Sequence, residues 1–440
     1  MKNQSRREFL RTMGAGAGVL VCGALGAGEA MAAEKTAQKM AKIKDKIKIG
    51  HIAIFSGPYG TYGELQKRGS KLAEEEIKKA GGIMGADVEV IYGDSKGKPD
   101  EAIKQARRLV ESEGVDFLIG IDSSGVVLGI SDVMPELKRL LFVTHAATHK
   151  LTEEKVYKEG NRNVFRLATN VYQDGIMAAI AATHMPAKRW ACIHPDYSYG
   201  YDSWDLFKKS LKKLRPDVEF VGEAWAKSGT TDFKPLISAI LDKKPEGIHS
   251  VQWGPSLITF VRQAIEMGLF DAVKYKGGYA FVNPMGSSID VMEALAKEYP
   301  EGAWISGRYI WSYPPTPINS HFVKAHFDKW KHLPAYSGAT SYTAMYLIKK
   351  LVETTGTLDI KTHIDFLEDL TIYCPLGTVR IRKEDHQAMY DVPFGQVKRD
   401  PNFPIPVLTN LISAPADLYF RKPPFDDVPP YTGYPPFVKI

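Results

Sequence analysis

Cysteine is scarce in this sequence, with three residues among 440. Cys22 lies near the N-terminus, and Cys192 and Cys374 lie far apart in the remainder of the chain. No two of them form a C-x-x-C pair, so the sequence offers neither a disulfide framework nor the ligand spacing of a structural zinc site. Cys192 belongs to an apolar run and is predicted to be a buried strand residue, and whether it pairs with Cys374 stays open.

The common nucleotide-binding and hydrolase motifs are also missing. Glycines at 57, 60 and 63 follow the first predicted strand, but their spacing is not G-x-G-x-x-G. No acidic residue ends the second strand as a ribose anchor, and the sequence contains neither a phosphate-binding P-loop nor a G-x-S-x-G nucleophile elbow. We therefore predict that the protein is not an enzyme and that it holds no cofactor and no metal.

Long apolar runs and basic stripes are absent beyond the N-terminus. No later segment approaches the roughly 20 apolar residues that a membrane-spanning helix needs. The net charge is +6, and the basic residues are spread along the chain without interleaved aromatic side chains. We predict no nucleic-acid partner and no direct insertion of the mature chain into a membrane.

The N-terminus carries an export signal of the twin-arginine type. Ser5-Arg6-Arg7-Glu8-Phe9-Leu10-Arg11 precedes a weakly apolar run, and Ala30-Met31-Ala32 offers an A-x-A cleavage site. These features predict a periplasmic protein whose signal is cleaved near Ala32 or Ala33. A buried N-terminal helix and a lipid anchor on Cys22 are the alternatives.

Two histidines, His145 and His149, flank Ala146-Ala147-Thr148 after a predicted strand. They do not form a helical metal-binding pair, because the segment between them is predicted to be a loop. We expect both to be solvated loop residues. The alternative is that His145 acts as a cation near an anionic ligand.

Short apolar runs alternate with amphipathic helices from residue 46 onward, and the alternation restarts near residue 188. This rhythm predicts an α/β fold with parallel sheets flanked by helices, in two similar halves. The predicted strands cover residues 47–55, 87–92, 115–120, 140–144, 188–194, 218–225, 247–252, 275–279 and 304–311.

Several short segments then share their order and spacing with one protein family. They are residues 56–63 with Arg68-Gly69, 77–85, 120–125, 146–148, 163–166 and 197–200. From about Ile47 to Phe394 the chain resembles the periplasmic solute-binding proteins of branched-chain amino acid ABC transporters, the Leu/Ile/Val-binding type.

The resemblance implies a two-lobed periplasmic-binding-protein type I fold with three crossings between the lobes. The crossings are expected near residues 166–170, 302–309 and 373–378. The implied division is 1–33 signal peptide, 46–168 plus 303–374 lobe 1, 169–302 plus 375–412 lobe 2, and 413–440 a Pro-rich aromatic tail. Phe425, Tyr431 and Phe437 are expected to anchor that tail to the surface.

The resemblance also implies a set of ligand-binding residues. Hydroxyls and backbone N–H groups from the loops after two strands are expected to hold the ligand carboxylate, and aromatic side chains are expected to enclose the rest of the ligand. The expected residues are Tyr62, Ser123, Ser124, Ala146, Thr148, Tyr199, Trp253 and Tyr279.

One position departs from the family pattern. Tyr279 takes the place where the family has an acidic residue that pairs with the ligand's ammonium group, and the next acid is Asp290. A buried ammonium without a partner is costly, so a neutral or carboxylate-bearing solute, which can be aromatic, is favoured over a free amino acid. An acid from another loop would restore amino-acid binding.

The implied function is that of a receptor that binds a small solute and delivers it to an ABC permease of the inner membrane. Two other classes stay open. The first is a sensory or regulatory ligand-binding module that acts on a separate partner, and the second is an exported enzyme that acquires its cofactor before export.

Overall fold

The computed structural model describes residues 42–425. The predicted export signal with its cleavage site, and the anchors Tyr431 and Phe437, lie outside the described residues. Within residues 42–425, no helix combines the length and the apolar character that crossing a membrane requires.

Five parallel strands form the first sheet, in the order β2-β1-β3-β4-β5. They are β1 Lys46–Ala53, β2 Asp87–Asp94, β3 Phe117–Gly120, β4 Leu140–Val143 and β5 Val164–Arg166. Every residue of β3, β4 and β5 is buried, because helices cover both faces of the sheet.

Seven strands form the second sheet, in the order β17-β16-β12-β11-β8-β6-β7. They are β6 Arg189–Pro195, β7 Glu219–Ala226, β8 Gly247–His249, β11 Phe281–Asn283, β12 Trp304–Ile305, β16 Phe394–Lys398 and β17 Val407–Ile412. The strands β6, β7, β8, β11 and β12 run parallel, and β16 and β17 add antiparallel pairs at one edge.

Two small antiparallel units complete the strands. One pairs β9 Lys274–Tyr275 with β10 Gly278–Tyr279, and the other joins β13 Thr371–Cys374, β14 Gly377–Ile381 and β15 Ala388–Met389.

Helices pack against both sheets, which confirms the predicted α/β class. They are α1 Gly60–Lys79, α2 Pro99–Arg107, α3 Ser124–Leu137, α4 Ala178–Ala182, α5 Ser198–Leu214, α6 Lys234–Leu241, α7 Gly254–Glu266, α8 Leu269–Ala272, α9 Ile289–Leu295, α10 Pro317–Trp330, α11 Tyr336–Thr355, α12 Ile360–Leu367 and α13 Ala416–Tyr419. Residues 108–112, 151–158 and 173–177 wind as wider π-helical turns, and residues 296–298 form a short 3₁₀ turn.

The predicted boundaries between the lobes need correction at two places. Strand β12 belongs to the second sheet, so the return to the first lobe comes after residue 305 rather than at residue 303. The hairpin β13–β14–β15 was expected to cross between lobes near residues 373–378. Its apolar side chains instead pack into the core of the first lobe, and the chain enters the second sheet at Phe394. Strands β13, β14 and β15 form a local antiparallel unit within the first lobe. The alternation of strands and helices in the sequence does not reveal this.

The segment from residue 413 is not a separate surface tail at its start. Ala416, Tyr419 and Phe420 are buried in the core of the second lobe, whereas Phe425 packs edge-on against Tyr157 of the first lobe at 5.2 Å. Up to residue 425 this segment therefore contacts both lobes.

The two described cysteines are free and buried, and they lie in different lobes. Cys192 lies in β6 as predicted and packs in the core of the second lobe. Cys374 packs in the core of the first lobe, so the two do not pair.

Candidate functional site

A small cavity of about 20 Å³ lies between the lobes, at the carboxyl ends of the parallel strands. This edge is where ligands bind in open α/β sheets, because the loops that follow the strands converge there. The lining residues are Asp122, Ser123, Ser124, His145, Ala147, Tyr197, Tyr199, Trp253, Met285 and Arg308.

Four of the eight sequence-predicted ligand residues line this cavity, namely Ser123, Ser124, Tyr199 and Trp253. Ser123 caps helix α3 by accepting a hydrogen bond from the backbone N–H of Val126 at 3.4 Å, which fixes the serine pair at the cavity wall.

Tyr62 stands directly behind the cavity wall. Its ring meets the edge of Trp253 at 4.9 Å, and its hydroxyl donates to Asp290 Oδ2 at 3.0 Å. Tyr62 therefore supports Trp253 from the side of the first lobe.

Ala146 and Thr148 do not line the cavity, and lie behind its wall instead. The N–H of Ala146 donates to the Ile121 carbonyl at 3.0 Å, and the hydroxyl of Thr148 accepts from the N–H of Lys150 at 3.3 Å. Their loop presents His145 and Ala147 to the cavity instead.

Tyr279 is not brought to the cavity with the others. The predicted strand over residues 275–279 is in fact the β9–β10 turn, and Tyr279 packs edge-on against Phe270 at 5.5 Å. The sheet strand is β11, which follows it, and Met285 beyond that strand lines the cavity. The sequence-predicted strand therefore ends just before the true sheet strand β11. The two could not be told apart from the sequence, because Tyr279 is followed at once by the apolar residues Ala280 and Phe281.

The cation of the cavity is Arg308, which is not among the sequence-predicted ligand residues. Its guanidinium binds Asp174 through Nη2–Oδ2 at 2.5 Å and Nε–Oδ1 at 3.4 Å, and its Nη1 donates to the His145 carbonyl at 3.1 Å. Arg308 and Asp174 are both buried, with side-chain exposures of 3% and 0%. Burial lowers the pKa of Arg308, but the adjacent Asp174 more than offsets this and keeps the guanidinium charged.

Aromatic rings hold Arg308 in place. Its guanidinium carbon lies 5.5 Å from the ring of Tyr199 and 5.8 Å from the ring of Tyr336. The backbone of Arg308 adopts a left-handed φ of 59°, a conformation that a non-glycine residue keeps only where its surroundings impose it.

His145 is buried and neutral, contrary to both sequence expectations for it. Burial and the charge of Arg308 hold its pKa well below the ordinary value. Its Nε2 lies 2.6 Å from the Tyr336 hydroxyl. Its Nδ1 has no hydrogen-bond partner among the described residues, since Asp122 Oδ1 is 3.6 Å away. If the Tyr336 hydroxyl donates to Nε2, then Nδ1 carries the proton and is a donor at the cavity wall.

His149 is also largely buried rather than solvated. Burial lowers its pKa to about 3, with Arg421 and Arg166 adding repulsion. Its Nδ1 lies 3.7 Å from Asp202 of the second lobe, so it belongs to the contact between the lobes.

Asp122 is the carboxyl group of the cavity. Its Oδ2 accepts from the N–H of Ile54 at 2.6 Å, and its Oδ1 accepts from the side-chain amide of Gln66. Burial raises its pKa to about 7 despite these donors. Within residues 42–425, His, Cys, Asp and Glu side chains do not gather in groups that could hold a metal ion.

Direct contacts between the lobes close one side of the cavity. The ring of Tyr59 lies 4.5 Å from that of Trp253, and its hydroxyl lies 3.3 Å from Ser256 Oγ. Gly254 follows Trp253 with a φ of 54°, and a Cβ there would lie 2.9 Å from the Tyr62 ring. The close approach of the lobes therefore requires glycine at this position.

A signal for Arg308 was present in the sequence. It is the single charged residue of residues 304–311, an otherwise apolar or small segment. A charge in such a segment needs a buried partner, but that partner, Asp174, is 134 residues away. The spacing of residues in the sequence could not identify the pair.

Comparisons with known proteins agree with this geometry. A family model described as periplasmic binding protein matches residues 46–402. The chain is similar to the leucine-, isoleucine-, valine-, threonine-, and alanine-binding protein of Pseudomonas aeruginosa, with 26% identity over 79% of this chain and 88% of the relative. It is also similar to Leu/Ile/Val-binding protein homolog 3 of Brucella melitensis, with 32% identity over 47% of this chain and 54%, about half, of the relative's length.

The fold is shared with solved structures. One is a solute-binding protein of an ABC transporter from R. palustris in complex with 4-hydroxybenzoate. It superposes with a TM-score of 0.74 at 24% sequence identity, over 83% of this chain and 97% of the other. At that identity the likeness concerns the two-lobed architecture alone.

Proposed function

Because the chain belongs to the periplasmic binding protein family, we propose that it is the solute-binding component of an ABC importer of the branched-chain amino acid type. It acts outside the cytoplasm after twin-arginine export and cleavage near Ala32 or Ala33, and it delivers its solute to a permease of the inner membrane. The lobes close on the solute, and the solute stabilises the closed state through contacts with both lobes.

We further propose that the solute is a small organic acid with an aromatic or apolar body. Arg308 carries this proposal. A guanidinium has five N–H donors, and the contacts with Asp174 and His145 use three of them. Two donors of a buried, permanently charged group are left at the wall of a cavity, where a carboxylate can accept both.

Neighbouring donors reinforce the same end of the cavity. His145 Nδ1 is buried without a hydrogen-bond partner among the described residues. Buried polar atoms are rarely left unpaired, so we assign a ligand oxygen to this nitrogen. The hydroxyls of Ser123 and Ser124 add donors from the first lobe.

The other walls suit a flat or apolar group. Tyr197, Tyr199 and Trp253 line the cavity, and the indole N–H of Trp253 donates to the Tyr197 hydroxyl at 3.0 Å. This bond fixes the orientation of both rings, so they offer preformed faces for stacking. The R. palustris neighbour named above holds 4-hydroxybenzoate, an acid of this kind.

A free α-amino acid is the second candidate, and Asp122 is the observation in its favour. Tyr279, the residue that disfavours a free amino acid in the sequence, packs against Phe270 and does not line the cavity. Asp122 does line it and can pair with an ammonium group. The relative from Pseudomonas aeruginosa is named for binding amino acids.

The test is ligand binding by protein that has been unfolded and refolded to remove solute carried through purification. With 4-hydroxybenzoate, benzoate, L-leucine and L-phenylalanine, we would measure the thermal unfolding midpoint and, by titration calorimetry, the binding affinity. A solute at about 100 times its Kd stabilises the folded protein by about 2.7 kcal/mol, so a true ligand raises the midpoint clearly.

The two candidates predict opposite outcomes with this panel. A response to the benzoates without a response to the amino acids supports the organic acid, and the reverse pattern supports the amino acid. If no compound of the panel or of a wider set of acids and amides raises the midpoint or binds in calorimetry, the transport role is contradicted.

A further inference from the structure

A second, larger chamber lies on the solvent side of the cavity. It has a volume of about 420 Å³ and is lined by both lobes. Ser123, Tyr197 and Trp253 line both spaces, so the Trp253–Tyr197 pair lies at the junction between them. We call this space the outer chamber and the cavity at Arg308 the inner cavity.

The outer chamber contains a buried donor with no partner. Gln252 lines it and is only 2% exposed, and its side-chain amide nitrogen has no hydrogen-bond partner among the described residues. The residue itself is firmly held, because its carbonyl accepts from Asn283 at 3.2 Å and its N–H donates to Ser250 Oγ at 3.3 Å. The acceptor of a buried amide N–H of this kind is a bound water or a ligand oxygen.

Two lysines, one from each lobe, flank the same space. Lys96 comes from the turn after β2, and Lys227 follows β7. The turn of Lys96 is fixed, because Asp94 Oδ1 accepts from the N–H groups of Phe55 and Lys96, each at 2.9 Å. Among the described residues, Glu101 is the one acid that pairs with either lysine, and it lies 3.6 Å from the Lys96 ammonium. Lys96 also interacts electrostatically with the Asp94 carboxylate, so among the described residues Lys227 is the lysine of the two without an acidic partner.

We propose that the outer chamber is a second subsite for an oxyanion, and that the solute is an elongated diacid. One carboxylate binds Arg308 in the inner cavity, the body of the solute passes the Trp253–Tyr197 pair, and the second carboxylate binds Gln252 between Lys96 and Lys227. This inference rests on the proposed organic-acid function and adds to it the length and the second charge of the solute.

The alternative explanation of the lysines is general electrostatic attraction of anions to the cleft. Attraction of that kind raises the association rate of any anion and does not distinguish a diacid from a monoacid. A subsite strengthens binding of the diacid alone, mainly by slowing its dissociation.

The experiment compares matched pairs of acids on the full mature chain. Benzoate is paired with terephthalate, and cinnamate with 4-carboxycinnamate, and binding is measured by calorimetry and by stopped-flow tryptophan fluorescence. We expect at least one diacid to bind about tenfold or more tightly than its monoacid, because a charge-assisted hydrogen bond is gained. In the double variant Lys96→Ala/Lys227→Ala and in Gln252→Met, the ratio of the monoacid Kd to the diacid Kd falls towards one.

The matched control is Lys276→Ala/Lys350→Ala, which removes one exposed lysine from each lobe outside the chamber. The control keeps the diacid preference. The proposal is overturned if neither diacid binds more tightly than its monoacid, or if the preference survives in the chamber variants. It is also overturned if those variants slow the association of monoacids and diacids equally.

Failure of the proposed function gives a different pattern. Binding of monoacids without any diacid preference overturns the subsite and leaves the organic-acid function intact. Binding of L-leucine with no response to any of the four acids overturns the organic-acid function, and the subsite with it.

Discussion

Two buried arginine–aspartate pairs in this protein have nearly the same chemistry and different surroundings. Arg308–Asp174 lies at the cleft, with side-chain exposures of 3% and 0%, and Arg382–Asp385 lies in the first lobe, with 6% and 1%. Each guanidinium makes two bonds to its carboxylate and gives Nη1 to a backbone carbonyl, that of His145 or that of Arg421.

The difference lies in what each pair connects and faces. Arg382 and Asp385 are three residues apart, and the ring of Phe425 covers the Arg382 guanidinium at 5.6 Å. Arg308 and Asp174 join distant segments, and the guanidinium faces a cavity beside an unpartnered donor, His145 Nδ1. A buried ion pair is weak evidence of stability or of function by itself. The cavity and the unpartnered donor are what indicate a binding role for Arg308.

The largest expected effect is that of Arg308→Gln. The change leaves Asp174 buried without its cation, which costs about 3–5 kcal/mol of stability. It also removes the donors for the ligand carboxylate, so affinity for the acid identified by the panel falls about 100-fold or more. Urea unfolding and calorimetry measure the two losses separately.

Arg382→Gln is the matched control for this substitution. It breaks a pair of the same kind and loses comparable stability, but it keeps its ligand affinity within about threefold. Equal loss of affinity in both variants would show that the two pairs do not differ in function.

A smaller expected effect separates stability from binding at the cleft pair. The double variant Arg308→Gln/Asp174→Asn removes both charges, so the uncompensated carboxylate disappears and about half of the lost stability returns. Ligand affinity stays lost, because the two neutral amide side chains of this variant restore no positive charge. Recovery of binding together with stability would mean that Arg308 only holds the fold.

The substitution Trp253→Ala tests whether the aromatic walls contribute to ligand affinity in addition to Arg308. Trp253→Ala removes the ring that contacts Tyr59 and Tyr62 and lines the cavity, so affinity is expected to fall by about 1–3 kcal/mol. Trp330→Ala is the control, because that half-buried ring packs on His326 at 4.7 Å within the first lobe. Calorimetry with the same acid measures the affinity of both variants. A similar loss of affinity in Trp330→Ala would contradict the role of Trp253 as a wall of the binding site.

The sequence predicted the architecture better than the site, for a physical reason. Alternation of apolar strands and amphipathic helices is a local pattern, and it identified most strands of both sheets. Strands β12, β14 and β15 were assigned to the wrong side of a crossing, because local pattern does not show which core a short strand joins.

The same limit applies to the cavity residues. Ser123, Ser124 and Trp253 directly follow strands, so their approach to the cleft could be predicted from position. Arg308 could not, because its role depends on Asp174, on a left-handed backbone and on the rings of Tyr199 and Tyr336. These contacts exist only after the two lobes have come together.

The smallest expected effect concerns Asp122, a buried carboxyl in the cavity without an arginine partner. Burial raises its pKa to about 7 in the folded protein, above the value of about 3.9 in an unfolded chain. Between these values the folded state binds more protons, so this group makes the protein less stable as the pH rises. Asp122→Asn removes that dependence, and its stability relative to wild type should increase by about 2–3 kcal/mol from pH 5 to pH 8. Urea unfolding at the two pH values measures this. An unchanged difference would mean that Asp122 is already ionised at pH 5, and that the cavity compensates its charge as fully as an arginine does.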